Sequence, residues 1–137
     1  MALVRTAALV LGAIYIVVGI VGFIPLFVAS GGVASMPSAS GSLLGIFPIN
    51  ALHNVVHLAI GAALLYGATA TVTATMVARA VGVVYVLVGL VGIPFPDGFG
   101  LLPLGGTDVL LHLGTGIVLV ALGFMAPATD ARLPGRA

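Results

Sequence analysis

The stretch TAALVLGAIYIVVGIVGFIPLFV, residues 6–28, decides the fold. It carries no charge and exceeds the about 18 apolar residues that mark a membrane-spanning helix. Three more stretches of the same kind follow it. Ala51–Ala70 has polar residues only in its first two turns, Thr71–Ile93 is interrupted only by Arg79, and Val109–Ala126 closes the series. Together with Thr6–Val28 they predict an all-α membrane protein with four transmembrane helices in a bundle.

Composition points the same way. Of the 137 residues, 61% are hydrophobic and 5% charged, where a soluble domain carries about 25% charged residues. Mean hydropathy is +1.37. The charges are Arg5, Arg79, Arg132 and Arg136 against Asp97, Asp108 and Asp130, giving a net charge of +1. So few charges cannot cover a surface in water, so the lipid bilayer is the expected partner. The lack of a basic cluster argues against nucleic acid. With no cysteine there are no disulfides, thiolate metal sites or thiol nucleophiles.

The connections differ in length, the first being the longer. Ser30–Ser42, rich in Gly, Ser and Ala, reads as a flexible loop. Pro94, Pro96, Asp97 and Gly98 mark a turn with a solvated Asp97. Residues 127–137 form a polar tail. Arg5, the apolar run and Val33-Ala34-Ser35 imitate a secretory signal. The run is longer than the about 7–15 apolar residues of such signals, so it is expected to be a retained helix. With four spans, all four arginines fall on one side, and the positive-inside rule then places both termini in the cytoplasm.

The chain also repeats itself. Gly12-Ala-Ile-Tyr15-Ile-Val-Val-Gly19-Ile-Val-Gly22 matches Gly82-Val-Val-Tyr85-Val-Leu-Val-Gly89-Leu-Val-Gly92. Steps of three and four place these Gly and Tyr residues on one helical face, where small residues let membrane helices approach closely. Gly45, Pro48, His57-Leu58 and Gly61 align without a gap with Gly100, Pro103, His112-Leu113 and Gly116. A single domain, 1–137, is expected from two tandem two-helix units of the same orientation. They are residues 1–70 and 71–126, related by an axis along the membrane normal.

The polar residues fall on the second and fourth spans. His53, His57 and Gly61 share one face, and Asp108, His112 and Gly116 share the aligned face, with Asn50 and Asn54 beside them. Ionisable groups inside a membrane are functional candidates by default. In the structural interpretation, Asn50 caps a helix, Asp108 complements a helix dipole, and Asp108 bonds His53 or His57 between helices. In the ligand interpretation, His53, His57, Asp108 and His112 suit a transition metal. Alternatively, His57 and His112 hold a haem, with Gly61 and Gly116 leaving room for the ring, although no Arg or Lys lies there to meet the propionates. A proton path through these groups is a third option. Tyr15 and Tyr85 are expected to pack and hydrogen-bond, and Arg79 to snorkel to the cytoplasmic headgroups.

No Gly-rich phosphate loop, Ser-His-Asp set or His-Glu-x-x-His motif occurs, so no catalytic residue is assigned. The expected function is that of a non-enzymatic accessory or interaction component, partnered by other membrane proteins or by itself. Its His/Asn/Asp cluster would fix helix pairing near the extracytoplasmic face. No cofactor is expected on that interpretation; haem, a transition metal or proton handling through His57 and His112 is the alternative.

The segment Gly45-Ile-Phe-Pro48-Ile-Asn50-Ala-Leu-His53-Asn54-Val-Val-His57-Leu58-Ala-Ile-Gly61 resembles the signature of the membrane proteins grouped as domain of unknown function 4383. Asp108-Val-Leu-Leu-His112-Leu resembles that family's second polar element, and the resemblance covers nearly the whole chain. It implies a four-helix protein of a bacterial plasma membrane and assigns no activity.

Overall fold

The computed structural model describes residues 2–31 and 36–126. The signal-like Val33-Ala34-Ser35 and the tail with Asp130, Arg132 and Arg136 lie outside the described residues. The elements run α1 (Leu3–Val21), β1 (Val28–Ser30), β2 (Gly41–Leu43), β3 (Phe47–Ile49), α2 (Ala51–Gly67), α3 (Thr71–Gly92), the single turn α4 (Gly98–Leu101) and α5 (Thr107–Met125). Three helices, α1, α3 and α5, are long and apolar enough to cross a membrane; α2 is apolar and shorter.

Local chemistry sets the ends of these helices. The first stretch was expected to stay helical to Val28, but α1 stops at Val21. Gly22 caps it with its N–H on the Val18 carbonyl. Pro25, which has no N–H and a fixed φ, then opens a 3-10 turn, Pro25–Phe27. Helix α2 starts where the Asn50 side chain accepts the His53 N–H at 2.7 Å. Between α2 and α3 the Thr73 hydroxyl donates to the Gly67 carbonyl at 2.9 Å and shares the Ala70 carbonyl. Asp108 lies in the first turn of α5, where the helix dipole favours a negative charge.

Helix α1 packs on α2, and α3 on α5; α2 and α1 make lesser contacts with α3. A Cβ on Gly12 would lie 3.0 Å from the Gly61 carbonyl oxygen, and one on Gly82 3.0 Å from that of Gly116. A Cβ on Gly61 would come 2.9 Å from the Ile16 nitrogen, and one on Gly116 2.8 Å from that of Val86. Backbone therefore touches backbone in both helix pairs, which only glycine permits. One turn on, Leu58 fills the space at Gly19 and Leu113 that at Gly89, while Gly22 abuts the Asn54 side chain and Gly92 the Leu104 carbonyl.

The two hairpins meet through Ala8, Tyr15, Leu64, Ala74, Ala78, Tyr85 and Leu119. Many other large aliphatic side chains point outward, among them Val10, Ile14, Val17, Leu87, Leu90, Leu110, Ile117 and Val118. A core rich in small, aromatic and polar residues, with few aliphatic ones, inside an aliphatic exterior is the arrangement expected where lipid, not water, is the solvent.

The expected flexible loop is in part a sheet. Strands β1, β2 and β3 form an antiparallel sheet in that order, with Ala29 opposite Ser42 and Ser42 opposite Pro48. Pro48, which has no N–H to donate, sits on an outer strand. The chain is thus mostly helical rather than wholly so. Strands of three residues built from Gly, Ser and Pro carry no alternating apolar pattern, so the loop reading was the natural one.

Side chains tie this sheet to the α3–α5 connection. The Ser38 N–H donates to Asp97 Oδ1 at 2.6 Å and its hydroxyl to the Asp97 carbonyl at 3.2 Å. Asn50 Nδ2 donates to the Ser38 carbonyl at 3.0 Å and the Leu101 carbonyl at 2.8 Å, and Thr107 donates to the Ile46 carbonyl at 2.7 Å. Asp97, expected to be merely solvated, is a clasp between the two connections. Hydrogen bonding by Ser38 holds the Asp97 carboxyl below its ordinary pKa. The connection itself is sharply bent, with Gly98, Phe99 and Gly100 all at positive φ.

The far end of the bundle is tied by arginine. Arg5 on α1 donates to the carbonyls of Ala68 and Thr69 at 2.9 and 3.1 Å, just past α2. Arg79 on α3 donates from Nε to the Gly123 carbonyl of α5 at 2.8 Å, with its guanidinium 4.8 Å from the Phe124 ring centre. Both satisfy orphan carbonyls at a helix C-terminus, where a cation also suits the dipole. Arg79, expected to snorkel to the headgroups, is thus bound within its own hairpin.

Candidate functional site

The polar faces of α2 and α5 meet in the interior. Capping by Asn50 fixes where α2 begins, which sets His53 in its first turn and His57 one turn later. On α5, Asp108 and His112 repeat that spacing. His53 and Asp108 are each 2% exposed, and Asn54, His57 and His112 are also buried.

The rings form one cluster. His53 stacks near His112 with centres 6.1 Å apart and planes at 20°, and lies 4.4 Å from His57. Tyr15 meets His57 at 5.3 Å, Tyr85 meets His112 at 4.9 Å, and the two tyrosines contact edge to face at 5.5 Å. Each tyrosine thus joins the histidine of its own hairpin. Their place in this cluster goes beyond the helix packing expected of them.

Asp108 sits between two imidazoles. Its Oδ2 lies 3.1 Å from His112 Nδ1 and 3.8 Å from His53 Nε2. His112 Nδ1 is also 2.9 Å from the Asp108 carbonyl oxygen. A carbonyl only accepts, so Nδ1 carries a hydrogen. The expected bond between Asp108 and His53 is too long to be one.

Among the described residues, four buried side-chain atoms of this cluster have no hydrogen-bond partner, His53 Nδ1, His57 Nδ1, Tyr85 Oη and Asp108 Oδ2, and Asn54 Oδ1 beside Gly22 is a fifth outside it. Leaving such an atom unpaired costs about 1–3 kcal/mol, so four in one cluster call for a physical reason. Donor atoms of His53, Asp108 and His112 all lie within 4.8 Å of one another. Ligands held about 2.0–2.2 Å from a tetrahedral ion stand roughly 3.4 Å apart, so the widest pair would have to close by about 1.4 Å. Imidazole and carboxylate suit Zn²⁺ and similar ions. His57 was counted with these three as a ligand; it lies beside His53 but outside the group.

Other expectations resolve residue by residue. Asn50 is fully engaged as a cap and loop tie. Gly61 and Gly116 were expected to leave room for a flat ring between His57 and His112. The backbones of α1 and α3 occupy that space, so a haem has no slot beside them. A cavity of about 250 Å³ instead opens between α1 and α5, with His57, Asp108 and His112 among its lining residues. Thr115, which lines it, was overlooked; its position seven residues after Asp108, on the same helical face, was the available signal.

The family model described as domain of unknown function (DUF4383) matches residues 5–125. No curated protein and no solved structure gives a significant match.

Proposed function

The chain belongs to the domain of unknown function 4383 family, and from its interior site we propose that it binds a divalent transition-metal ion through His53, Asp108 and His112. The observation that carries this proposal is the Asp108 carboxylate oxygen, buried between two imidazoles without a hydrogen-bond partner. A divalent cation would neutralise Asp108 and draw in the lone pairs of both histidines. No arginine among the described residues does so, since Arg5 and Arg79 are bound at the opposite helix ends.

The bundle that holds the ion has four spans, α1, α2, α3 and α5, in a bacterial plasma membrane, arranged as two α-hairpins of the same orientation. The matched glycine contacts, Gly12 with Gly61 and Gly82 with Gly116, support the repeat. Both termini are cytoplasmic on this proposal, and the site lies toward the outer face. The role is one of binding, not catalysis. In a chain without cysteine, a Cys at Ser38 should react with an impermeant reagent outside the cell and one at Thr73 should not.

A second interpretation makes the cluster helix glue for an accessory protein, and the approach of His53 on α2 to Asp108 on α5 favours it. Cobalt separates the two. The purified full-length chain should take up one Co²⁺ with the visible absorption of a tetrahedral site, and Zn²⁺ should displace it. Asp108→Asn and His53→Ala should abolish the spectrum while Ser38→Ala keeps it. A folded wild-type protein that stays colourless and metal-free would leave helix glue as the function of the cluster.

A further inference from the structure

We propose that the cavity between α1 and α5 binds a lipid-soluble molecule of the quinone class, with a neutral, flat, oxygen-bearing ring as head and an aliphatic chain as tail. The mouth of the cavity is apolar and faces outward. Ile14 on α1 is 50% exposed and Leu111 on α5 is 46% exposed. Its few polar groups come from the inner residues His57, Asp108 and His112, each at least nine-tenths buried. A solute that enters from lipid and ends on hydrogen-bonding groups fits that gradient.

Size, charge and shape narrow the head group. About 250 Å³ falls below the roughly 300–1,000 Å³ of drug-sized pockets, which suits a one- or two-ring head and excludes a macrocycle. Among the described residues no arginine faces the cavity, since Arg5 and Arg79 cap helices at the other end, so an anionic head would meet Asp108 without a basic side chain to pair with. Tyr15 and His57 present ring surfaces there, with which a flat ring packs well.

A polar side chain from α2 marks where the ring oxygens are recognised. The His57 imidazole, which lines the cavity, can donate to a ring carbonyl from a nitrogen that carries the hydrogen and accept from a ring hydroxyl at one that does not. Both the carbonyl and the hydroxyl form of such a ring would therefore find a partner.

A tail has its own track. A shallow groove along α5 shares Leu11, Leu111 and Thr115 with the cavity and continues past Leu110, Gly114 and Val118. At Gly114 a Cβ would meet nothing within 4 Å, so the missing side chain deepens the groove without serving helix contact. The inference rests on this cavity and not on the proposed metal ion; the two share Asp108 and His112, while the third metal ligand, His53, does not line the cavity.

The test titrates the purified full-length chain in detergent with a decyl-tailed benzoquinone, reading tyrosine fluorescence in a protein free of tryptophan. Saturable quenching is expected. Gly114→Phe, which blocks the tail groove, and Thr115→Leu, which narrows the cavity, should each weaken it at least tenfold. Helicity and any cobalt spectrum should stay unchanged. Decanoic acid, which has a tail and an anionic head, should not compete. Non-saturable quenching, equal affinity in both folded variants, or competition by decanoic acid would each overturn the assignment.

Discussion

Replacing Gly116 by alanine would force a methyl group into a helix contact that has no room for it. The added Cβ would lie 2.8 Å from the Val86 nitrogen and 3.0 Å from the Gly82 carbonyl oxygen, against an ordinary contact of 3.4–4 Å. Two of its neighbours are backbone atoms, so α3 and α5 must part by about half an ångström. Overpacking of this kind costs about 1–3 kcal/mol. Removing a mid-helix glycine returns roughly 1 kcal/mol of helix propensity, so the expected net change is a destabilisation of up to about 2 kcal/mol. The control lies two residues away. At Gly114 the same methyl meets nothing, only the propensity gain applies, and Gly114→Ala should stabilise by about 0.5–1 kcal/mol. Thermal unfolding in one detergent, followed by helicity, compares the two variants side by side. Equal stability of Gly116→Ala and Gly114→Ala would refute the claim that backbone contact holds α3 on α5.

Three further changes have defined outcomes. Asn50→Ala removes a helix cap and frees two carbonyls, so it should cost about 1–2 kcal/mol in thermal unfolding. Arg79→Ala should destabilise by about 1 kcal/mol through the orphaned Gly123 carbonyl, and a double-mutant cycle with Arg5→Ala should be additive, because the two caps lie on different hairpins. Asp97 has a folded-state pKa below its unfolded value of about 3.9. Its stabilisation is therefore present at neutral pH and is lost as pH falls through the lower folded value. Asp97→Asn should accordingly unfold earlier than wild type at pH 7, and acid titration of both proteins should bring their stabilities together.

How much could be read from the sequence depended on the range of the interaction. Apolar runs are local, so the helices were visible, and the paired Gly, Tyr and His positions pointed to the surfaces that meet. The end of α1 was misplaced because Phe23, Ile24 and Leu26 continue the apolar run past the point where Gly22 and Pro25 stop the helix. The sheet was missed because its strands take their order from pairing, not from pattern. The Ser38–Asp97 clasp joins residues far apart in the chain, and nothing near either residue announces the other. At the site, periodicity placed His53, His57, Asp108 and His112 on facing surfaces. Only three-dimensional geometry showed that His53, not His57, lies beside Asp108, and that the glycines one turn away are filled by backbone.

Each hairpin carries its own glycine seam and its own arginine tie, so each has the contacts to assemble alone during membrane insertion. The proposed metal donors are divided between them, His53 on the first hairpin and Asp108 and His112 on the second. Ligand binding would then report that two separately inserted halves have docked, and a chain split in the α2–α3 turn, with both halves co-expressed, should regain the site only when they meet.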